Sequence, residues 1–325
     1  MNNTKIIISR TDNIGDVLLT LPITGVIREN LSNAQIVFLA SKYTIPVIRR
    51  CKNIDEHYAW EDLRGNIEQF HNINANTIIH VYPKKEIAEL AKSSGIKDRI
   101  GTSHRLYHWW TCNKLVHLGR KRSNLHEAQL NLKLLAPLGL QIEYALEELP
   151  RHSGWERVNE IPHQHYSYLA TDKFNLIIHI MSRGNAKQWL FSNYYQLIKL
   201  LSRERFNILI TGNSEESKIL LAKLPEIFSL QHVTNVMGKF SLDEFITFIQ
   251  CCDGLLAGST GPLHIAALSG KHALGLYPSR RPMHALRWAP LGDKAEYISE
   301  TEDRGEFLNI PISLVHERIL KWLRN

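Results

Sequence analysis

Residues 258–267, with the sequence GSTGPLHIAA, combine small polar residues, glycines and a proline in an order that predicts an anion-binding turn. They follow an apolar run that is typical of a buried strand. Ser259 or Thr260 can cap a helix whose first turn contains Pro262, where the missing N–H is harmless. Gly261 and the glycine that begins the segment let the backbone approach a ligand, while the unpaired N–H groups and the helix dipole favour an anion. The pattern predicts a diphosphate site, with an ordinary capped helix as the alternative.

A second group of candidates follows the first predicted strand, in the segment SRTDNIGD of residues 9–16. Asp16 lies where that strand turns into a helix, and a carboxylate there can act as a general base. Asp12 competes with it for that role. The alternative for Asp16 is a charge that only stabilises the positive helix end. The segment lacks both GxGxxG and GxxxxGK[ST], so it supports neither an NAD site nor a P-loop.

Two further strand ends, in the second half of the chain, carry polar side chains. In residues 179–189, HIMSRGNAKQW, Ser182 and Lys187 can reach phosphate oxygens, with the lysine acting as a mobile point charge. In residues 211–216, TGNSEE, a glutamate can accept hydrogen bonds from ribose hydroxyls. The alternatives are a solvated loop lysine and the ordinary glutamates of a helix's first turn.

A basic and aromatic segment covers residues 97–122. It contains seven basic residues and only one acidic residue, Asp98. Tyr107, Trp109 and Trp110 lie among them in the sequence. Basic side chains interleaved with aromatic rings suit an anionic glycolipid or a membrane surface, and they also suit nucleic acid. Solvated helix faces are the plain alternative. The segment is therefore a candidate contact for an anionic partner.

Length and composition fit a two-domain globular protein. The 325 residues are 44% hydrophobic and 22% charged, and the net charge of +7 is spread over both halves. No apolar run approaches the roughly 20 residues that span a bilayer, and the N-terminus lacks the pattern of a signal peptide. The four cysteines form no CxxC pair, and His104 and His108 lack a third ligand. We expect a cytoplasmic chain with buried free thiols and no metal site.

Apolar runs that alternate with helical patterns predict parallel sheets built from βαβ units. The predicted strands are residues 5–9, 35–40 and 77–82 in one set, and 175–180, 206–211, 253–257 and 273–277 in another. The predicted helices include residues 16–30, 125–140, 192–203, 214–224, 242–252 and 312–323. The polar segment 150–172 is the predicted linker. The sequence thus predicts an α/β fold of two Rossmann-like domains, residues 1–160 and 161–325, that face a central cleft.

The ordered set of turns resembles glycosyltransferase family 9, the heptosyltransferases. The similar segments are GDVLLTLP at 15–22, AKQW at 186–189, TGNSEE at 211–216, GKFSLDEF at 238–245 and STGPLHIAA at 259–267. The segment HEAQLNLKLLAPLGL, residues 126–140, resembles the family's helix before its linker. The resemblance covers nearly the whole chain, and the order and spacing of the segments carry it.

This resemblance implies the GT-B fold, with an acceptor bound by the first domain and a nucleotide sugar by the second. The last helix is a candidate to pack back on the first domain. The implied reaction is an inverting, metal-independent transfer of heptose from ADP-L-glycero-D-manno-heptose to the inner core of lipopolysaccharide. The donor is a substrate, so no cofactor is implied. The anionic, lipid-linked acceptor implies peripheral contact with the inner face of the cytoplasmic membrane, and no nucleic acid is expected as a partner.

The resemblance also implies roles for individual residues. Asp16 matches the proposed catalytic base. Glu216, with Glu215 as the alternative register, matches the acid that binds ribose, and Phe240 falls where the backbone meets the nucleobase. The other predicted donor contacts are Ser182, Lys187, Ser259, Thr260, Gly261, Pro262 and His264. The predicted acceptor contacts are Arg10, Gly15, Arg99 and Arg105.

One position departs from the family pattern. Many members carry Asp-Thr-Gly or Asp-Ser-Gly where this chain has Ser259-Thr260-Gly261, and that aspartate contacts hydroxyl groups of the donor sugar. A serine hydroxyl cannot offer the charge-assisted acceptor that a carboxylate provides. Three alternatives therefore stay open: a transferase that uses a different nucleotide sugar, a nucleotide-sugar epimerase, and a non-enzymatic protein that binds a nucleotide sugar or nucleic acid.

Overall fold

The structure, a computed structural model, describes residues 4–120, 123–157, 167–182 and 187–324. The chain divides into two compact units, Met1–Glu156 and Arg157–Asn325. Each unit contains one six-stranded sheet in which all paired strands of the described residues are parallel. This confirms the predicted α/β fold. The predicted boundary between residues 160 and 161, the basic residues 121 and 122, and residue 186 of the AKQW segment lie outside the described residues.

The first unit alternates strands and helices. Its strands are β1 (Lys5–Ser9), β2 (Gln35–Ala40), β3 (Glu56–Ala59), β4 (Thr77–His80), β5 (Asp98–Thr102) and β6 (Lys114–Val116). Its helices are α1 (Ile14–Leu18), α2 (Pro22–Asn30), α3 (Ile45–Ile48), α4 (Trp60–Leu63), α5 (Ile67–Asn72), α6 (Lys85–Ser93), α7 (His108–Thr111), α8 (Glu127–Leu132) and α9 (Leu149–His152). Short 3-10 helices occupy Lys42–Thr44, Lys133–Leu138 and Leu146–Glu148. The strand order is β3-β2-β1-β4-β5-β6.

The second unit repeats this arrangement. Its strands are β7 (Phe174–His179), β8 (Phe206–Thr211), β9 (Val233–Asn235), β10 (Gly254–Gly258), β11 (His272–Tyr277) and β12 (Ala295–Ser299). Its helices are α10 (Phe191–Leu200), α11 (Ser214–Lys223), α12 (Leu242–Cys251), α13 (Gly261–Leu268), α14 (Ala285–Trp288) and α15 (Ile312–Lys321). Short 3-10 helices occupy Pro225–Ser229 and Trp322–Arg324. The strand order is β12-β11-β10-β7-β8-β9.

Both sheets contain a point where the strand order reverses. It lies between β1 and β4 in the first unit and between β7 and β10 in the second. In an open parallel sheet, this switch point leaves a crevice at the carboxyl ends of the two strands, where ligands bind. Asp16 follows β1, and the GSTGPLHIAA segment begins at the last residue of β10. The topology therefore puts both predicted sites at the ligand-binding edge of their own sheet.

The central strands are apolar because both faces of each sheet are covered. Ile6, Ile7 and Ile8 of β1 are fully buried, as are Ile178 of β7 and Leu256 of β10. Burial of each such side chain stabilises the fold by about 1.5–3 kcal/mol. The strands are thus a rigid base from which the loops at their carboxyl ends project.

The helix boundaries depend on proline and glycine. The predicted helix 16–30 is in fact two helices, α1 and α2, because Pro22 begins the second one. Proline has no N–H to donate to the carbonyl four residues earlier, so the first helix ends before it. The predicted glycine cap is confirmed: Gly139 has a φ of 72° after the 3-10 helix that follows α8. Within the described ranges, no helix is both long enough and apolar enough to cross a membrane.

The last helix packs inside the second unit. α15 lies against α10, and its residues Val315 and Ile319 are buried in that unit's core. The ring of Trp322, just after α15, stacks on Phe174 of β7 with the ring centroids 6.1 Å apart. These contacts join the end of the chain to the second sheet.

The four cysteines are free. Cys51, Cys112 and Cys252 are buried, and Cys251 is half-buried. Burial raises the pKa of Cys112 to about 11, which keeps that thiol protonated and unreactive. The prediction of buried free thiols is confirmed for three of the four.

Candidate functional site

A buried arginine gathers the carboxylates at the end of β1. Arg10 is only 2% exposed. Its Nε donates to Asp12 Oδ1 at 2.7 Å, and its Nη2 donates to Asp16 Oδ1. Its Nη1 lies 3.5 Å from Glu127 Oε1. Three acidic side chains therefore share one guanidinium, and the predicted site residues Arg10 and Asp16 are in direct contact.

The charges of this cluster depend on one another. Burial alone would lower the pKa of Arg10, but Asp12, Asp16 and Glu127 raise it above its usual value, so the guanidinium stays charged. Burial raises the pKa of Asp12 to about 6, with the charge of Arg10 opposing this shift and that of Asp16 adding to it. A carboxyl group that titrates near neutral pH is suited to accept a proton. Asp12 therefore stays a candidate base beside Asp16.

The short helix α1 fixes the position of Asp16. The helix follows the N-cap Asn13, and Asp16 lies in its first turn, next to Gly15, where the positive helix end stabilises a carboxylate. Asn13 Nδ2 donates to Asp16 Oδ2 at 3.3 Å, and Thr20 Oγ1 donates to the Asp16 carbonyl at 2.8 Å. The Asp16 side chain remains 16% exposed. A carboxylate held in this way keeps access to a hydroxyl group that binds at the strand end.

Sequence reasoning missed Glu127 and Asn131, which extend the cluster around Arg10. Glu127 is the first residue of α8, and an Nη of Arg120 lies 3.6 Å from its carboxylate. Arg120 also donates to Asn131 Oδ1 at 3.2 Å, and Asn131 in turn donates to the carbonyl of Leu19. Asn131 and Leu19 are 112 residues apart in sequence. No local pattern links such positions, although both Glu127 and Asn131 lie in the 126–140 segment that carries part of the family resemblance.

In the second unit, the turn after β10 contains an unsatisfied hydroxyl group. α13 begins at Gly261 with Pro262 in its first turn, which confirms the predicted helix start. Thr260 is the N-cap residue, but its side chain makes no capping hydrogen bond, so the prediction of a side-chain cap is wrong. The Thr260 Oγ1 is buried and has no hydrogen-bond partner in the part of the chain that the structure describes. Since a buried polar group without a partner is costly, this hydroxyl indicates a place for a ligand atom.

Of the residues near Thr260 in the turn, Gly258 leaves open space and Ser259 contacts Tyr277. A Cβ added at Gly258 would lie 3.9 Å from the nearest backbone carbonyl, so protein packing does not require this glycine. The Ser259 hydroxyl is hydrogen-bonded to the phenol of Tyr277, which donates to the carbonyl of Trp288 at 2.6 Å. His264, in the following part of α13, is buried. The turn is therefore open at Gly258, while Ser259 is tied to the end of β11.

Lys187 differs from the mobile charge that the sequence predicts. Its side chain is 1% exposed, and its Nζ lies 2.9 and 3.0 Å from the two carboxylate oxygens of Glu300. Asp303 Oδ1 lies 2.5 Å from the same nitrogen. Burial would lower the pKa of Lys187, but these two carboxylates raise it, so the ammonium group is charged. A donor phosphate that binds Lys187 must replace one of them.

The other side of this ion pair is also fixed. Glu300 accepts hydrogen bonds from the N–H groups of Ser279, at 3.3 Å, and Asn309, at 3.1 Å. Sequence reasoning missed both Glu300 and Asp303, because they lie more than a hundred positions from Lys187 and belong to no motif. Their separations from it in the chain are 113 and 116 residues.

The predicted ribose-binding glutamates occupy the first turn of α11. Glu216 forms a capping box with Asn213: its Oε2 accepts from Asn213 N at 2.7 Å, and Asn213 Oδ1 accepts from Glu216 N at 2.9 Å. A Cβ at Gly212 would lie 2.8 Å from this Oε2, so the glycine lets the carboxylate approach the turn after β8. Glu215 is exposed and pairs with Lys218 at 2.8 Å. Of the two glutamates, Glu216 is the one fixed against the strand end.

The remaining donor predictions lie in loops that follow strands. Phe240, before α12, stacks on Phe248 with the ring centroids 4.5 Å apart and is half-buried. Ser182 is half-buried and lies just after β7. Because β8, β7 and β10 are neighbours in the sheet, Glu216, Ser182 and Thr260 follow adjacent strands. The structure therefore brings these predicted donor residues to one edge of the second sheet.

The predicted acceptor residues Arg99 and Arg105 lie apart from Arg10 in the chain, at the start of β5 and just after its end. Arg99 Nε donates to the carbonyl of Thr111 at 2.7 Å, so its guanidinium fixes backbone, whereas Arg105 is exposed. No hydrogen bond or ion pair within the described residues joins either arginine to Arg10 or Asp16. Nor does the described part of the chain contain a group of three or more His, Cys, Asp or Glu side chains arranged so that they could hold a metal ion.

The chain is similar to known proteins along most of its length. Residues 79–310 match the family described as Glycosyltransferase family 9 (heptosyltransferase). A Haemophilus influenzae protein that is named as a glycosyltransferase of unproven activity is 24% identical to this chain. The alignment covers 96% of this chain and 93% of that protein. The lipopolysaccharide core heptosyltransferase OpsX of the same species is 22% identical, over 92% of this chain and 85% of its own. The solved ADP-heptose lipopolysaccharide heptosyltransferase II of Escherichia coli superposes with a TM-score of 0.74 at 18% identity, covering 99% of this chain and 98% of its own. This structural likeness assigns the fold to the GT-B class.

Proposed function

The chain belongs to glycosyltransferase family 9, the heptosyltransferases, and we propose that it transfers heptose from ADP-L-glycero-D-manno-heptose to the inner core of lipopolysaccharide. Family membership makes the protein a glycosyltransferase of the heptosyltransferase family of lipopolysaccharide core biosynthesis. The identity of the donor, the inversion of configuration, the independence of metal and the role of Asp16 as general base are the parts that we propose.

The observation that carries the proposal is the unpartnered hydroxyl of Thr260 at the start of α13. It lies at the carboxyl end of β10, beside β7, at the switch point of the second sheet. The first N–H groups of α13 and its positive dipole end favour an anion at the same place. A diphosphate would accept hydrogen bonds from this hydroxyl and from those N–H groups. The open space at Gly258 supports a close approach of the ligand to the backbone.

In the proposed reaction, Asp16 takes the proton from an acceptor hydroxyl as that oxygen attacks the anomeric carbon of the donor. The bond between the anomeric carbon and the diphosphate oxygen breaks, and ADP leaves with the electron pair. A single displacement of this kind inverts the anomeric configuration. Arg10 orients Asp16, and the partial exposure of Asp16 supports access by the acceptor. Asp12 is the second candidate for the base, because it titrates near pH 6 and shares the same arginine.

Lys187 is proposed to stabilise the leaving diphosphate. A lysine ammonium is a compact charge that suits a phosphate oxygen. The buried pair with Glu300 and Asp303 keeps this charge at the base of the loop before α10. Exchange of Asp303, the more exposed of the two carboxylates, for a phosphate oxygen would leave Glu300 in place. Glu216 and Phe240 are proposed to contact the ribose and the adenine.

The donor sugar depends on Ser259. This side chain is committed to Tyr277 and carries no charge, so it offers weaker recognition of sugar hydroxyls than a carboxylate. A transferase for a different nucleotide sugar is therefore the alternative within the same chemistry. The substitution Ser259→Asp tests this: it should raise the preference for ADP-heptose over other ADP-sugars if the position reads the sugar.

The proposed acceptor is the anionic, lipid-linked core of lipopolysaccharide, reached from the cytoplasmic face of the inner membrane. Arg10, Gly15, Arg99 and Arg105 are the proposed acceptor residues of the first unit. Of these, Arg105 has the exposed guanidinium that an acceptor phosphate needs. Contact with the membrane is proposed to be peripheral.

The test combines the purified protein with ADP-heptose, or with other nucleotide sugars, and heptose-deficient lipopolysaccharide. We expect ADP release that depends on the acceptor, together with a product heavier by one heptose. Turnover of the donor without acceptor, to an isomer of the sugar nucleotide, would instead identify an epimerase. Absence of sugar transfer from every nucleotide sugar would overturn the proposal.

A further inference from the structure

We propose that the first unit docks on an anionic lipid bilayer through an exposed surface that we call the tryptophan patch. It consists of Leu106, Trp109 and Trp110, with the basic residues Arg105 and Lys92 beside them. The inference deepens the proposed function, because a lipid-linked acceptor lies in such a bilayer. Leu106 and both tryptophans lie in the segment between β5 and β6.

The patch brings three large, exposed apolar side chains together in one short segment. Leu106 is 79% exposed, Trp109 63% and Trp110 54%, whereas Trp60 and Trp189 are buried in the cores of their units. These three exposed side chains fall within five consecutive positions. Globular proteins seldom leave large apolar groups together in water unless a partner covers them. Indole rings in particular favour the boundary between lipid headgroups and hydrocarbon.

Buried contacts hold the patch outward. His108, between Tyr107 and Trp109, is buried, with its Nδ1 2.9 Å from the carbonyl of Thr102. Trp109 Nε1 donates to the carbonyl of Ser103 at 3.0 Å, so its polar edge is satisfied within the protein and its ring remains exposed. The patch therefore does not have to be ordered when a partner binds, which lowers the entropic cost of docking.

Arg99 of β5 also holds this segment against the sheet through hydrogen bonds to backbone carbonyls. Its Nε donates to the carbonyl of Thr111 at 2.7 Å and its Nη1 to the carbonyl of Lys97 at 3.4 Å. A Cβ added at Gly101 would lie 2.6 Å from His108 Nδ1, so this glycine lets the α7 segment pack directly on β5. The contacts join α7 to the sheet along its inner face and leave Trp109 and Trp110 on the outer one.

The charge around the patch selects an anionic surface. Residues 92–120 contain six basic residues and a single acid, Asp98, which is paired with Lys114 at 3.2 Å. Lys92 donates to the carbonyl of Trp110 at 2.9 Å, and Arg105 precedes Leu106 directly. Basic side chains next to exposed indoles match a bilayer with anionic headgroups. The exposed aliphatic side chain favours lipid over nucleic acid, because bases stack on aromatic rings and gain little from leucine.

The patch and the candidate base Asp16 both follow carboxyl ends of strands in the first sheet. The patch follows the carboxyl end of β5, and Arg10 and Asp16 follow the carboxyl end of β1 in the same parallel sheet. Carboxyl ends of parallel strands lie at one edge of a sheet. A bilayer that contacts the patch is thus on the side of the first unit where an acceptor hydroxyl has to approach Asp16.

The experiment measures binding of the full chain to vesicles without donor or acceptor. Vesicles of phosphatidylglycerol and phosphatidylethanolamine are compared with vesicles of phosphatidylcholine by flotation. Brominated lipids then report whether tryptophan emission is quenched. The patch variant is Leu106→Ser with Trp110→Ser, Arg105→Gln removes charge alone, and Leu200→Ser replaces an exposed leucine of the second unit as the matched control. Thermal melting checks that each variant is folded.

We expect the wild type to bind the anionic vesicles, less at high salt, and its emission to be quenched by brominated lipid. The double variant should bind roughly 10-fold more weakly, Arg105→Gln several-fold more weakly, and Leu200→Ser like the wild type. Absence of vesicle binding, or equal binding by the double variant, would overturn the proposal. So would self-association or binding to RNA that depends on the patch and occurs without vesicle binding.

A soluble acceptor separates this inference from the proposed function. Deacylated, heptose-deficient core oligosaccharide needs no membrane, so the rates of wild type and double variant with it should agree. If sugar transfer to this acceptor occurs while vesicle binding is absent, only the docking surface is refuted. If vesicle binding occurs while no nucleotide sugar is used, the proposed function fails and the docking surface stands.

Discussion

Arg10 donates a hydrogen bond to Asp16 from a fully buried position, and the same guanidinium also donates to Asp12. A planar guanidinium offers five N–H donors in fixed directions, so it can orient several carboxylates at once. Glu127, whose Oε1 lies 3.5 Å from Arg10 Nη1, is the third acidic partner of the same guanidinium. One buried residue thereby fixes the geometry of both candidate bases.

Replacement of Asp16 by asparagine tests the base directly. Asp16→Asn keeps the size of the side chain and removes its ability to accept a proton. We expect kcat to fall by about 10²–10⁴-fold while the affinity for ADP-heptose stays unchanged. Asp12→Asn is the matched control, since it alters the other carboxylate on Arg10. A greater loss of kcat in Asp12→Asn than in Asp16→Asn would transfer the role of base to Asp12.

The pKa of Asp12 predicts a pH dependence. Burial raises the pKa of Asp12 to about 6, so this carboxyl group gains its charge as the pH rises through that value. The new charge adjoins Arg10 and favours the charged network that orients Asp16. We therefore expect kcat/KM to rise with pH near 6 in the wild type and this step to vanish in Asp12→Asn. A profile of Asp12→Asn that superposes on that of the wild type would refute the assignment.

The hydroxyl of Thr260 predicts a variant that separates binding from stability. Thr260→Val removes a buried hydroxyl that has no partner among the described residues and keeps the shape of the side chain. The free energy of unfolding should be unchanged or slightly higher, while the Kd for ADP should rise by about 5–20-fold. Isothermal calorimetry and urea unfolding measure the two quantities.

Thr247→Val is the matched control for this variant. The Thr247 hydroxyl donates to the carbonyl of Asp243 at 3.2 Å, so its removal should lower stability and leave ADP affinity unchanged. An unchanged Kd in Thr260→Val would remove this hydroxyl from the proposed diphosphate site.

The buried pair of Lys187 and Glu300 predicts two distinct losses. Glu300→Gln removes one charge and leaves Asp303 on the lysine, so the free energy of unfolding should fall by roughly 1–3 kcal/mol. Lys187→Met should lower kcat/KM for the donor as well, because it removes the charge proposed for the leaving diphosphate. Lys199→Met, on α10, is the control lysine. If Lys187→Met loses stability but retains kcat/KM, the lysine is purely structural.

His80 predicts a loss of stability in acid. Burial, with smaller effects of His108 and Arg99, lowers the pKa of His80 to about 3, while the unfolded chain keeps the ordinary value of about 6.5. The unfolded state therefore binds the proton first as the pH falls, which lowers the free energy of unfolding by about 2 kcal/mol at pH 5. In His80→Leu, the difference in unfolding free energy between neutral pH and pH 5 should shrink by this amount. An undiminished difference would place the acid-sensitive group elsewhere.

Much of the fold could be read from local patterns. The strands that the sequence predicted are apolar runs that lie inside their sheets, namely β1, β2, β4, β7, β8, β10 and β11. Among the strands it missed, β3, β6, β9 and β12 are edge strands, where one side is less covered. The fifth, β5, lies between β4 and β6 but begins with the charged residues Asp98 and Arg99, which interrupt the apolar pattern. Gly139 and Pro262 marked helix boundaries in the sequence because their backbone chemistry acts within one turn, whereas the sequence prediction missed the boundary at Pro22.

The sequence by itself determined the α/β class, the start of α13 and the family, since each of these depends on residue types at fixed local spacing. Only the tertiary structure decided that Arg10 is shared by Asp12, Asp16 and Glu127, and that Lys187 is buried against Glu300. Glu127 and Glu300 are distant in the chain from the residues that they contact, and the contacts of Arg10 with Asp12 and Asp16 depend on how the chain turns after β1. The strength of a charge pair depends on burial and on every neighbouring charge, and periodicity encodes neither of them.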